Sequence, residues 1–137
     1  DKKLVKPADY ASTVEVCDLF SQGKEFIHVK KETQSSTLSH LFGQGMISAQ
    51  AFLSDEEFRN QFRAKLTSEG YTAHTSLVPQ QRPSSSEYEI VYAVIAKRAA
   101  PNWPASLPFF SQLNLMQHAK LLRGLGYKVT TQHIPVK

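Results

Sequence analysis

The alternation of apolar and polar positions along the chain predicts five strands and three helices. β-branched and apolar residues concentrate at 13–20 and at 25–31, and the Gly-containing segment 21–24 between them is typical of an antiparallel hairpin. The short segment 1–6 is interpreted as the end of a preceding strand. Residues 87–96 are the strongest predicted strand, and 90–95 are apolar on both faces, which is the pattern of a buried central strand.

Helical spacing begins after the hairpin. The first helix has a serine-rich start and apolar residues that recur every three or four positions, among them Leu38, Leu41, Ala49 and Phe52. Gly43 and Gly45 lie within it, and each weakens a helix by about 1 kcal/mol relative to alanine. An alternative interpretation is that these glycines mark a close approach of the backbone to a neighbour.

The two later helices carry terminal signals. Ser54 with Glu57 three residues on predicts a capping box at the start of the second helix, and Gly70 predicts its end. Asn114 is the predicted N-cap of the third helix, which Gly126 closes.

The order of these elements predicts the fold class. The third helix lies between strand 87–96 and a last strand at 128–134, so it forms a crossover and the two strands are predicted to be parallel. Residues 79–86 and 99–108 are predicted loops. We therefore expect an α/β three-layer sandwich, in which a β-meander is followed by helix, strand, helix and strand.

Composition sets the broad class of protein. The chain has 137 residues, of which 41% are hydrophobic and 20% charged, so residues 1–137 fit one globular domain. No apolar run approaches the ~20 residues of a membrane span. A single cysteine, Cys17, excludes a disulfide framework and favours a cytoplasmic location. The chain begins at Asp1 without a methionine, so we interpret it as a fragment whose partners include the remainder of its own longer chain.

Two positions of the predicted hairpin give the chain a resemblance to known nucleases. Asp18 lies at the end of the first hairpin strand, and His28-Val29-Lys30 lies on the second. With the order of elements, this arrangement resembles the restriction-endonuclease-like core of PD-(D/E)XK phosphodiesterases. The resemblance implies metal-dependent cleavage of DNA or RNA with Mg²⁺ or Mn²⁺, in which Asp18 binds the metal and Lys30 activates water.

The amino-acid sequences of several segments show a second resemblance. EVCDLF, EFIHVKK, SSTLSHLFGQG, SLPFFSQLNL and LRGLGYKV are similar to a sporadically distributed bacterial family of unknown function. That family's proteins are much longer and are often found near defence genes. The resemblance implies that this chain is the carboxy-terminal part of such a protein, with a role in antiviral defence.

His28 departs from the nuclease pattern, which has a carboxylate or an amide at this place. Alternation puts Phe26, His28 and Lys30 on one face of their strand, so Asp18 joins them if the hairpin register allows it. Imidazole prefers Zn²⁺, Cu²⁺, Fe²⁺ or Mn²⁺ to Mg²⁺. The site therefore uses Mn²⁺, borrows a carboxylate such as Glu15 or one from the amino-terminal part of the longer protein, or is inactive. His28 itself is a metal ligand, a general base, or a buried, hydrogen-bonded histidine without a role.

The first helix adds a polar ridge. Ser36, His40 and Gln44 follow one another at a spacing of four, and Gln44 is the candidate that the resemblance implies would support Lys30 or contact phosphate. The alternative is a solvated helix face. A zinc site from Cys17, His28 and His40 has the right residue types but lacks compact ligand spacing, and Cys17 is interpreted as a small buried residue.

Basic residues near strand ends and on the third helix are the candidates for contact with nucleic acid. The formal net charge is +4 and the pI is about 9.2, which is compatible with a polyanionic partner. The candidates, with Ser36, are Lys24, Lys30, Lys31, Lys97, Arg98, Lys120, Arg123 and Lys128. The aromatic residues Trp103, Phe109 and Phe110 are interpreted as loop anchors packed on the core.

Three functions remain open on the sequence alone. The first is a metal-dependent nuclease, and the second is a nucleic-acid-binding module that kept the fold and lost the reaction. The third is a structural or homo-oligomerising domain of a larger protein.

Overall fold

The computed structural model describes residues 4–5, 14–15, 17–31, 35–96, 107 and 109–135. Its strands are β1 (Leu4–Val5), β2 (Val14–Glu15), β3 (Leu19–Phe20), β4 (Glu25–Lys31), β5 (Glu89–Ala96) and β6 (Lys128–Pro135). Its helices are α1 (Ser35–Ser54), α2 (Glu56–Ser68) and α3 (Phe109–Gly124), with short 3₁₀ turns at Thr72–Leu77 and Ser85–Glu87. The helices and the later strands follow in the predicted order, whereas four strands and not three precede α1.

A four-stranded mixed sheet in the order β3-β4-β5-β6 forms the centre of the fold. β3 is antiparallel to β4, and β4 is parallel to β5. β5 is parallel to β6, as the crossover through α3 predicted. Every residue of β5 from Ile90 to Val94 is buried, which confirms its prediction as a central strand.

The first hairpin strand is shorter than the 13–20 predicted from composition. Val14–Glu15 pairs with Leu4–Val5 in a separate two-stranded sheet, and only Leu19–Phe20 pairs with β4. The β-branched run is thus divided between two sheets, which local propensity cannot indicate because it does not specify a pairing partner.

The described helices lie on one face of the four-stranded sheet. Phe42 of α1 contacts Tyr92 of β5 at a ring-centroid distance of 5.0 Å and His118 of α3 at 6.5 Å. Phe62 of α2 contacts Phe26 of β4, on the same face as Tyr92. Within the described residues the domain therefore has two layers, and the third layer of the expected sandwich stays a prediction.

Two predicted helix caps are wrong. The side chain of Asp55, not Ser54, accepts the Phe58 N–H at 3.1 Å and caps α2, while the Ser54 hydroxyl donates to Gln50 within α1. Asn114 lies inside α3, five residues after its start at Phe109. A sequence pattern identifies a residue type that suits a helix end. It does not decide which of several neighbouring candidates caps the helix, because that depends on the residue at which the helix begins.

Glycines are placed where the backbone requires them. Gly70 and Gly126 follow α2 and α3 with positive φ values of 87° and 104°, as their predicted role in ending helices demands. Gly45 lies against the ring of Tyr92, where a Cβ would stand 2.6 Å from the hydroxyl oxygen. The close approach suggested by the sequence is therefore found at Gly45 and not at Gly43, around which there is open space.

Candidate functional site at the β3–β4 hairpin

Asp18 immediately precedes β3 and binds the backbone of β4. Its Oδ2 accepts the Val29 N–H at 2.7 Å, and its own N–H donates to the Ile27 carbonyl at 3.0 Å. Ile27 is already paired with Leu19, so the ladder is displaced by one residue at this point, as in a β-bulge. One carboxylate oxygen of Asp18 therefore accepts a backbone hydrogen bond at the point where the pairing of β3 with β4 ends.

His28 is the polar residue at the centre of the hairpin's buried face. It is 2% exposed, its ring lies 5.8 Å from that of Tyr92, and its Nε2 is buried with no hydrogen-bond partner. Burial lowers the pKa of His28 to about 4, against a smaller opposing effect of Asp18. His28 is therefore a neutral imidazole at pH 7, and Asp18 lies near enough to influence its charge.

The remaining candidates on the hairpin and on α1 differ in how far they are exposed to solvent. Lys30 lies two residues along β4 on the same face and is half-buried, whereas Lys31 is exposed. Gln44 is half-buried on α1 and His40 is exposed. Ser36 belongs to α1, but its side chain lies outside the described part of the structure.

The described residues do not fit a divalent metal site. Among the residues that the structure describes, no group of three His, Cys, Asp or Glu side chains could hold a metal ion. Mg²⁺ and Mn²⁺ require several oxygen ligands, and the pair Asp18 and His28 offers one carboxylate, already bonded to a backbone N–H, and one buried ring nitrogen. Cys17 is fully buried, as its interpretation as a small core residue requires.

A cleft of about 320 Å³ opens beside Asp18, between the hairpin and the residues that follow α2. It is lined by Asp18, Leu19, Phe20, Ser21, Ile27, Glu69 and Tyr71. Glu69, the residue that follows α2, has a buried Oε2 without a hydrogen-bond partner. Sequence reasoning missed Glu69 because nothing in its local pattern relates the end of α2 to the hairpin.

Three of the exposed basic candidates lie on α3 and at the start of β6. Lys120, Arg123 and Lys128 are all exposed, and the Arg123 guanidinium donates to the Val129 carbonyl at 3.2 Å. Lys120 and Arg123 are neighbours because they are three residues apart on one helix. Lys24 is instead paired with Glu87 at 2.7 Å, and Lys97 and Arg98 lie outside the described residues.

Arg59 is a buried cation that the sequence did not single out. It is 4% exposed and donates to the carbonyls of Phe52, Leu53 and Gln80 at 2.8 to 3.2 Å. These bonds satisfy carbonyls at the end of α1 that have no partner within the helix. Arg59 therefore has a structural role, joining the α1–α2 corner to the following loop.

The geometry defines an α/β domain with a four-stranded mixed sheet and helices, and with a buried histidine beside a hairpin carboxylate. A family model described as a family of unknown function, DUF6119, matches residues 1–135, so the chain belongs to that family. The predicted membership of a family of unknown function is confirmed, whereas the PD-(D/E)XK core and the link with defence genes stay predictions. No curated protein matches the chain, and no solved structure does. None of the described helices is long and apolar enough to cross a membrane.

Proposed function

We propose that this chain is a nucleic-acid-binding module with a restriction-endonuclease-like order of elements and no hydrolytic centre of its own. The observation that carries the proposal is the environment of His28. This residue stands where the resembling nucleases have an oxygen ligand, and it is buried and neutral, while one oxygen of the neighbouring Asp18 carboxylate is already bonded to the Val29 N–H. Lys30 consequently has no metal-binding group to act with among the described residues.

The binding surface of this proposal is the exposed cationic cluster Lys120 and Arg123 of α3, with Lys128 at the start of the following strand as a further cation. Within the described part of the chain, no carboxylate forms an ion pair with Lys120 or Arg123. Exposed cations without carboxylate partners can neutralise phosphates and release their counterions, so binding would be salt-sensitive and tolerant of sequence. Glu89 lies beside Lys128 in the β5–β6 register, which makes Lys120 and Arg123 the stronger phosphate contacts.

The proposal is tested by fluorescence anisotropy with labelled DNA and RNA, in parallel with a cleavage assay in Mg²⁺ and Mn²⁺. We expect binding without cleavage, and an affinity that falls steeply between about 50 and 200 mM salt. The variant Lys120→Glu should weaken binding to every sequence and reduce the salt slope by about 1 or more. Lys65→Glu is the matched control, because Lys65 is an exposed lysine on α2, away from the cluster.

Two results would contradict the proposal. Absence of binding at low salt, or equal weakening by Lys65→Glu, would remove the role of the cluster. Metal-dependent cleavage that disappears in Lys30→Ala would instead establish the nuclease that the sequence resemblance implies. A cytoplasmic role in antiviral defence extends the proposal, rests on the family resemblance alone, and is tested by phage challenge of cells with and without the full-length protein.

A further inference from the structure

The two edges of the central sheet differ in how they are protected from pairing. The β3 edge has two residues, a displaced ladder and the Asp18 carboxylate on the Val29 N–H, which are features that prevent strand addition. β6, the other edge, is eight residues long and pairs in register with β5 from Lys128 to Pro135. Between those two residues it has no lysine, arginine, carboxylate or proline, so the residue types that usually protect an edge strand stand only at its two ends.

The ladder fixes which backbone groups of β6 face outward. The Lys128 N–H donates to the Tyr88 carbonyl at 3.2 Å, so the backbone groups of Lys128 and of every second residue after it point towards β5. The backbone N–H and C=O groups of Val129 and Thr131 are therefore directed away from β5, towards the open edge. The Arg123 guanidinium reaches the Val129 carbonyl from the outside, which agrees with this assignment.

An exposed apolar stripe of α3 lies next to this edge. Phe109, Leu113 and Met116 follow one another at helical spacing and are 67%, 40% and 66% exposed. Phe110 is 71% exposed, so the prediction that Phe109 and Phe110 pack on the core is wrong. A cavity of about 420 Å³ between α3 and β6 connects the stripe to the strand and is lined by Leu115, Met116, Ala119, Arg123, Val129, Thr130 and Thr131.

We propose that a second copy of this chain occupies this surface, with the two β6 strands paired antiparallel about a two-fold axis at Thr131. This register joins two outward-facing Thr131 residues and sets Thr130 opposite Gln132 of the second copy. The sheet then continues across the axis through eight strands. Both α3 helices lie on the same face of that sheet, and Met116, near the middle of each, meets Met116 of the second copy.

The surface suits a copy of itself because it is self-complementary. The register sets Lys128 opposite Ile134 of the second copy, so no like charges face one another along the strands. Phe109 and Met116 are each about two-thirds exposed, so an isologous contact removes apolar side chains of both copies from water at once. An isologous contact of this kind closes on itself and leaves the two protected β3 strands as the ends of the sheet.

Disulfide trapping tests the register directly. In the proposed dimer the two Thr131 Cα atoms are about 5.5 Å apart, within the range of a disulfide. Thr131→Cys should therefore give a covalent dimer under mild oxidation. Thr130→Cys is the matched control, because two Thr130 residues would be diagonal neighbours about 7–8 Å apart. The buried Cys17 remains in both variants, and the unsubstituted chain reports its contribution.

Sedimentation equilibrium tests the helix contact without a cross-link. Met116→Lys places two lysines together at the axis and should weaken dimerisation by about tenfold or more. Leu121→Lys changes another exposed apolar residue of the same helix, 55% exposed and away from the α3–β6 cavity, and should leave dimerisation unchanged. A chain that is monomeric at its highest soluble concentration would overturn the proposal. So would equal effects of the two lysines, or trapping through Thr130→Cys rather than Thr131→Cys.

Discussion

Substitution of the two glycines of α1 by alanine should change stability in opposite directions. Gly43 and Gly45 are both inside the helix, so each alanine gains about 1 kcal/mol of helix propensity. At Gly43 nothing lies within 4 Å of the new Cβ, and Gly43→Ala should raise the free energy of unfolding by up to about 1 kcal/mol. At Gly45 the new Cβ would stand 2.6 Å from the Tyr92 hydroxyl oxygen and 2.7 Å from Cε1.

The Tyr92 ring has little room to move away. It is fully buried, the Phe42 ring is 5.0 Å away on one side and His28 is 5.8 Å away, and its hydroxyl donates to the Phe42 carbonyl at 3.1 Å. Overpacking of this kind costs about 1–3 kcal/mol. Because both alanines gain the same propensity, the difference between the two variants isolates the clash. We expect Gly45→Ala to be less stable than Gly43→Ala by about 1–3 kcal/mol.

Urea unfolding followed by far-UV circular dichroism measures this difference, and thermal unfolding should show a gap of about 3–5 °C per kcal/mol for a chain of this length. Tyr92→Phe in the Gly45→Ala background removes the nearest atom but leaves Cε1, so the rescue should be partial. Equal stability of the two alanine variants would refute the close contact between α1 and β5. Full rescue by Tyr92→Phe would show that the hydroxyl alone, and not the ring, limits the approach.

Two further predictions concern the cap of α2 and the buried histidine. Asp55→Ala should lower the free energy of unfolding by about 1 kcal/mol because the Phe58 N–H loses its acceptor, while Ser54→Ala should change it little. Equal losses of stability in urea unfolding would mean that Ser54, the cap predicted from the sequence, also caps α2. The folded pKa of His28, about 4, lies below its unfolded value of 6.5, so the unfolded chain binds the extra proton. Stability from His28 is thus fully present above pH 6.5 and is lost as pH falls towards 4, by up to about 3 kcal/mol. His28→Gln should flatten that part of the pH profile, and an unchanged profile would contradict the buried neutral state.

The order of elements could be predicted from the sequence because its causes are local. Periodicity of apolar residues distinguishes helix from strand, and the run from Ile90 to Val94, apolar on both faces, is a pattern that suits a central strand. Gly70 and Gly126 were recognisable as helix ends because a positive φ favours glycine over other residues. The crossover through α3 likewise required parallel strands, whatever the details of packing.

Tertiary structure alone decided the pairing partners and the chemical state of the site. Whether Val14–Glu15 joins the main sheet or a separate one depends on contacts with residues far along the chain. His28 is neutral because α1 and β5 bury it, and Asp18 ends a strand ladder because the register brings the Val29 N–H to its carboxylate. The sequence supplied residue types that suit a metal site, but burial and hydrogen bonding depend on neighbours that no local pattern specifies.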